Sequence, residues 1–496
     1  MKFSLTTQDI FKLKTDCLVL PVVNNAPFSM ITKKIDNYSA GLLSKIKNSG
    51  DIDGSCEYTA LFLEKSSVAN QRLLVINAGK TKKLSVDELK KLLNAIFAAL
   101  KTTNSKTATI ILDEISVNGH DKNWLLEQTV ITLSAAAYQF NDYKSNVKSL
   151  SLEEINFITN KANQRKQQKI LQQALSLVVG INFTKDLGNT PCNIATPSYL
   201  VKQAKNLAKQ CKKLSVKVLN EPDLERLKMN TLLAVGQGSK QASHLIELHY
   251  KGSTTNKAPI VLVGKGVTFD TGGISLKPAA NMKDLKYDMC GGATVFGVVR
   301  AIIEQDLPIN VIGLIPTVEN MPDGNSFKPG DVITSMSGQT VEIVNTDAEG
   351  RLILCDTLTY AKKFKPKTVI DIATLTGAMM VALGPINNGL FTTDDNLAKD
   401  LQQAAKNSTD KTWRMPLEID YQKMMDSKIA DMQNCGPRDA GSVTAACFLQ
   451  RFVNAEQSWA HLDVAGTAHQ RNNPIGATGR PVPLLVEYLR QQSKKY

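Results

Sequence analysis

The sequence predicts an α/β protein of two domains. An N-terminal α/β domain covers 1–155, a connecting helix 156–180, and a C-terminal α/β domain 181–496 with a central mixed sheet flanked by helices. Three observations support this. Short apolar runs of strand length alternate with stretches of helical apolar spacing. The 496 residues exceed what one hydrophobic core accommodates. Between two such stretches the chain turns polar, from about 140 to 175, as a linker does. With 43% hydrophobic and 21% charged residues, the composition is that of a folded globular protein and excludes a disordered chain.

The elements follow in order. Cys17–Val23, Ala60–Leu63, Arg72–Ile76 and Ala108–Leu112 read as strands, and Leu84–Leu100 has helical spacing. An amphipathic helix is expected over Gln167–Val179. Asp186–Pro191 and Pro197 read as a loop, followed by a helix over Ser198–Lys213. His244–His249 has strand alternation and the wrong spacing for a zinc-binding helix. Ile260–Val263, Asn310–Ile315, Val341–Val344 and Thr368–Ile372 read as strands. Gly291–Ile303 and Ala348–Lys362 read as helices, which makes this half a βα alternation.

Several classes are disfavoured. The first residues, Met1–Phe11, lack the long apolar core of a secretory signal, and no apolar run approaches membrane-spanning length. The eight cysteines form no Cys-x-x-Cys pair, which argues for reduced thiols in a cytoplasmic protein and against a zinc ribbon. The net charge of +13 is the one hint of a polyanion partner. Its lysines are dispersed, in short clusters at Lys80–Lys83, Lys161–Lys169 and Lys212–Lys213, without interleaved aromatics. Nucleic-acid binding is therefore carried only as an alternative.

The chemistry concentrates in two segments. The first is Asn345-Thr346-Asp347-Ala348-Glu349-Gly350-Arg351. In an extended segment Asp347, Glu349 and Arg351 would share one face at a strand end. Adjacent carboxylates repel unless a cation lies between them, and hard divalent metals meet that need. The second runs from Gly264 to Pro278 and carries Lys265, Asp270 and Lys277, with Asp288 eighteen residues beyond Asp270. Lysine directly after a buried strand is unusual, because lysine is rarely buried unpaired. Gly264-x-Gly266 could belong to a dinucleotide loop, but position 269 is Phe. Asp270 could be a turn residue and Asp288 a helix cap. Each alternative stands alone; together, beside Asp347 and Glu349, they are harder to sustain. His120 and His461 read as loop and packing residues.

These residues resemble the signature of the leucyl aminopeptidase family of two-metal exopeptidases. The heptapeptide matches intact, and the likeness continues through Asp371–Ala378, Trp413–Pro416, Ala440–Ala446, Asp463–Ala468 and Gly476–Pro481. Departures at Thr271 and Gly292 exchange small residues for small ones. The N-terminal region matches only in length and texture.

The resemblance implies two divalent metals, manganese or zinc, about 3.5–4 Å apart. One would be held by Lys265, Asp270, Asp288 and Glu349. The other would be held by Asp270, Asp347 and Glu349, with the Asp347 carbonyl. Lys277 and Arg351 would be catalytic. Lys277 would polarise the scissile carbonyl, and Arg351 would hold a bicarbonate proton shuttle or, alternatively, orient Glu349. Thr374, Leu375 and Gly377 would bind substrate. The implied activity is release of leucine and other large apolar residues from peptides with a free N-terminus, by hydroxide attack, in intracellular peptide turnover. A homohexamer away from membranes is implied as well.

Overall fold

The computed structural model describes residues 1–496 except 25, 50–58, 64–71, 80–82, 148, 281, 472, 474 and 496, and leaves the side chains of 59–63 undescribed. Cys56 and most of the lysine cluster at 80–83 lie outside the described residues. The chain packs as two compact units, Met1–Val178 and Val179–Tyr496.

In the first unit the strands are β1 (Lys2–Thr6), β2 (Cys17–Val22), β3 (Thr59–Leu63), β4 (Arg72–Asn77), β5 (Thr107–Ile110) and β6 (Glu154–Ile158). Among the described residues they form one sheet in the order β1-β6-β5-β2-β4-β3, parallel except at β3. Every residue of β2 is buried, so its unbroken apolar run reflects two covered faces. Cys17 and Val19 join one core cluster, while Leu18, Leu20 and Val22 join another. The helix Val86–Lys101 buries Leu89, Leu92, Leu93, Ile96, Phe97 and Leu100 on one stripe. Ser85 and Glu88 close its start as a capping box, worth about 1 kcal/mol.

The second unit holds β7 (Leu214–Leu219), β8 (His244–Lys251), β9 (Ile260–Gly264), β10 (Gly266–Asp270) and β11 (Asn310–Asn320). It continues with β12 (Val332–Thr334), β13 (Thr340–Glu342), β14 (Thr368–Ala373), β15 (Asn388–Phe391), β16 (Thr412–Arg414), β17 (Met432–Gln433) and β18 (Trp459–Asp463). The main sheet runs β16-β15-β18-β14-β9-β11-β8-β7, with β10 on β11. Its centre is parallel, and β15 and β8 bring antiparallel pairings, so the sheet is mixed as expected. The helices Cys290–Glu304 and Gly350–Ala361 are buried along nearly their whole length. Among the described residues no helix is long and apolar enough to cross a membrane.

Three local expectations fail for physical reasons. The helix expected to end near Val179 runs from Gln164 to Asn189, through the segment read as a loop from Asp186. Gly188 is packed too closely for a turn glycine, since an added Cβ would lie 3.1 Å from Ala477 Cβ and Cys290 Sγ. Asn189 Oδ1 accepts Ala477 N at 3.1 Å, so tertiary contacts override the local breaker signal. Second, the strand read at Val341–Val344 is the short β13, in a side sheet ordered β12-β13-β17 rather than in the main sheet. Third, Asp347 and Glu349 do not lie in extended chain. They occupy the turn between β13 and the helix Gly350–Ala361, and Arg351 belongs to that helix.

Candidate metal centre

The C-terminal ends of neighbouring β9 and β14 deliver the first groups. Lys265 follows β9, and its backbone N donates to Ile372 O of β14 at 3.0 Å. Its side chain is buried and donates from Nζ to Asp288 Oδ1 at 2.8 Å and to Thr374 O at 3.0 Å. Asp288 Oδ2 and Glu349 Oε1 each lie 2.8 Å from the same Nζ. Asp270 ends β10, where its Oδ1 accepts Gly272 N at 2.9 Å and Asn320 Nδ2 at 2.8 Å. Lys277 reaches back to Asp270 Oδ2 at 2.9 Å and contacts Asp347 Oδ1.

Asp270, Asp347 and Glu349 each offer one oxygen within 4.8 Å of the others. Convergence is therefore achieved across two loops, by a turn into a helix, and not by strand alternation. The buried oxygens Asp288 Oδ2, Asp347 Oδ1 and Glu349 Oε1 accept no hydrogen bond, although a lysine Nζ stands at ion-pair distance from each. Hard carboxylate oxygens held only by ion pairs to lysine ammonium groups fit divalent cations.

The electrostatics agree. Burial first, then the charge of Asp270, pushes the Asp347 carboxyl up to about 7 against the pull of Lys277. Burial also raises Asp270, with Glu349 adding to it, and raises Asp288 against Lys265. Burial alone would lower Lys265 and Lys277, but the surrounding acids outweigh it and hold both ammonium groups above their ordinary range. The acids rise chiefly through burial, and the lysines rise because the cage has two more carboxylates than ammonium groups. It draws in further positive charge, whether protons or metals.

Close approach fixes one glycine. A Cβ on Gly350 would stand 2.6 Å from Lys265 Cε and 2.7 Å from its Nζ. The residue lacks a side chain for clearance, not for an unusual φ.

The cage opens into a cavity of about 480 Å³ whose walls include Leu285, Leu375, Gly377, Met380 and Ala465. Thr374 lines it too, but its hydroxyl donates to Asp288 Oδ1 at 2.8 Å. Leu375 N donates to Asp463 Oδ1 at 3.2 Å, and Gly377 opens the helix Gly377–Leu383 with empty space where a side chain would stand. Arg351 is buried, which lowers its pKa. Its Nη1 donates to Asn434 O at 2.8 Å, while Nε donates to nothing. His461 is packed as expected: it faces Asp371 across β14 and β18 in register, and that carboxylate also accepts Trp459 Nε1 at 2.8 Å.

Two supporting residues carried no sequence signal. Asn320 Nδ2 joins Asp270 Oδ1 to Thr346 O, the latter at 3.2 Å, and Asn434 grips the loop before Asp347. Both are single polar residues without periodicity or motif spacing.

Comparison with known proteins places this geometry. Residues 182–486 match the catalytic domain of the cytosol aminopeptidase family, and residues 19–147 match that family's N-terminal domain. A probable cytosol aminopeptidase of Methylobacillus flagellatus is 46% identical over 499 aligned positions, covering 100% of both chains. The cytosol aminopeptidase of Haemophilus influenzae is 45% identical over 97% of both. A tomato leucine aminopeptidase mutant superposes with a TM-score of 0.87 at 30% identity, over 99% of this chain and 96% of that one. Fold, acid cage and these likenesses define a metal-dependent aminopeptidase. The chain belongs to the cytosol aminopeptidase family.

Proposed function

We propose that the chain releases leucine and other large apolar residues from the N-termini of peptides, in cytoplasmic peptide turnover, with two divalent metals per subunit. The observation that carries this reading is the convergence of Lys265, Asp270, Asp288, Asp347 and Glu349 in the lining of one cavity whose other walls include Leu285, Leu375, Met380 and Ala465. One ion would take Lys265, Asp270, Asp288 and Glu349; the other would take Asp270, Asp347 and Glu349. Four carboxylates balance two divalent ions. Bound there, manganese or zinc supplies Lewis acidity and a water made nucleophilic near neutral pH.

The side chains then have distinct tasks. Lys265, whose ammonium now pairs with Asp288 and Glu349, must lose a proton before its amine can act as a ligand. Lys277 keeps its proton and offers a donor to the oxygen of the scissile carbonyl as negative charge grows there. The free Nε edge of Arg351 suits a planar anion such as bicarbonate, which would carry protons in a site whose cage contains no histidine. Leu285, Leu375 and Met380 favour an apolar side chain, with Thr374, Leu375 and Gly377 beside the substrate backbone. A pocket of this kind separates one methylene by only about 1–3 kcal/mol, so specificity is broad. A homohexamer is the expected assembly, and light scattering tests it.

The decisive assay is hydrolysis of leucyl-amides by folded protein supplied with manganese, zinc, cobalt or magnesium, before and after chelation. Absence of activity with every metal refutes the reading. The net charge of +13 motivates a second reading, nucleic-acid binding beside peptidase activity. Failure to be retained on DNA at low salt would end it.

A further inference from the structure

We propose that Asn434 is a positioning residue that holds the acid loop and Arg351 in register, and so sets the affinity of the metal subsite built on Asp347. This rests on the two-metal reading and extends it to a residue which that reading does not use.

Asn434 follows β17 and is fully buried. Its backbone N donates to Glu342 O at 2.8 Å, one step beyond the last β13–β17 pair, Glu342 with Gln433. There the neighbouring chain turns away toward the acids, and the Asn434 side chain continues the pairing. Its Oδ1 accepts Val344 N at 2.8 Å and Asn345 N at 3.2 Å. Its Nδ2 donates to Asn345 O at 2.7 Å and, more loosely, to Ala348 O at 3.4 Å. Two acceptor and two donor positions are all a primary amide has, and all four are directed at this one turn. The Asn434 carbonyl then accepts Arg351 Nη1 at 2.8 Å.

The restraint passes on to the ligand. Asn345, held from both sides of its peptide, accepts Asp347 N through its own Oδ1 at 2.9 Å. The turn between β13 and the helix has no ladder of its own, and ordering its residues costs conformational entropy. Asn434 offsets that cost where it bears on Asp347. The Lys265–Asp288 side of the cage is built on β9, β14 and the segment Met282–Met289, which Asn434 does not touch through any of these bonds. Asp347 belongs to one subsite alone, so the effect of Asn434 falls mainly there; Glu349, on the same turn and shared by both ions, passes a smaller effect to the other.

The test is Mn²⁺ binding by the full chain, followed by calorimetry and equilibrium dialysis, for wild type, Asn434→Asp and Asn434→Ser. Asn434→Asp keeps an oxygen for Val344 N and Asn345 N and loses both donors; Asn434→Ser removes most of the grip. Wild type should take up two ions. In each variant one binding event should weaken by about 10–100-fold, the usual effect of losing an outer-shell partner, while the other weakens distinctly less. Hydrolysis should recover at excess Mn²⁺. If wild type binds fewer than two ions, the two-metal reading itself fails. If wild type binds two and the variants bind both as tightly, or weaken both equally, the assignment to Asn434 is overturned. Loss of folding in both variants overturns it as well, because Asn434 would then be a general structural residue.

Discussion

Gly350→Ala should cripple the site through one methyl group. The added Cβ would stand 2.6 Å from Lys265 Cε and 2.7 Å from Nζ, where carbon contacts settle at about 3.5–4.0 Å. Lys265 must retreat by about 1 Å, yet it is pinned by Asp288, Glu349 and Thr374 O. Alanine gains about 1 kcal/mol in helix propensity, whereas overpacking a filled site costs about 1–3 kcal/mol and the displaced ammonium loses its acids as well. The clash wins, with an expected net loss of about 1–2 kcal/mol and at least a roughly hundredfold drop in leucyl-amide hydrolysis. Calorimetry and the peptidase assay read the two effects. A double-mutant cycle supplies the sharper check. Lys265→Ala removes the atoms that the new methyl strikes, so the double variant should be more stable than the sum of the singles by about 1–3 kcal/mol. Additive effects, or a Gly350→Ala enzyme with wild-type melting and rate, would refute the close approach as the reason for glycine here.

Asp347→Asn and Glu349→Gln should each reduce hydrolysis more than about a hundredfold while leaving the melting temperature equal or higher, since each removes a charge from a crowded acid cluster; a collapsed melting transition would contradict this. Metal uptake should weaken as pH falls from about 8 to about 6. Asp347, near 7 without metal, and Lys265 hold protons that metal must displace, so calorimetry in buffers of different ionisation heat should show proton release. Glu247, partnered by His249, Tyr360 and Lys363, is lowered from 4.5 to about 2 despite its burial. A depressed carboxyl stabilises the fold above its unfolded value and loses that contribution as pH falls through the window from 4.5 to about 2. After allowance for the exposed lysine partners this amounts to about 1–2 kcal/mol, and Glu247→Gln should flatten acid denaturation there.

The sequence was most legible where chemistry is local. Lys265, Asp270, Lys277, Asp347 and Glu349 stand in two short segments with Asp288 shortly after one of them, and the structure brings all six together. Among the strands read from sequence, β2 and β9 were plain because they are unbroken apolar runs buried throughout, whereas β1, β6, β7, β10, β15, β16 and β18 were not read at all. What sequence could not show was set by distant partners. Asn189 continues a helix because Ala477 meets it, and the acids turn instead of extending because Thr346 hydrogen-bonds Gly272 O while Asn434 holds Asn345. Those partners lie between 74 and 288 residues away along the chain, beyond any periodicity.

Lys265 and Lys277 have a consequence for the protein's life history. Lys265 and Lys277 offset half of the four carboxylate charges and protons can supply the rest, so the acids do not depend on metal to come together during folding. Assembly of the polypeptide and arming of the enzyme become separate events in time. A cell starved of metal would accumulate finished but idle molecules, and a returning supply would switch them on without new synthesis. The abundance of the protein and the peptidase capacity of the cell are then set by different variables.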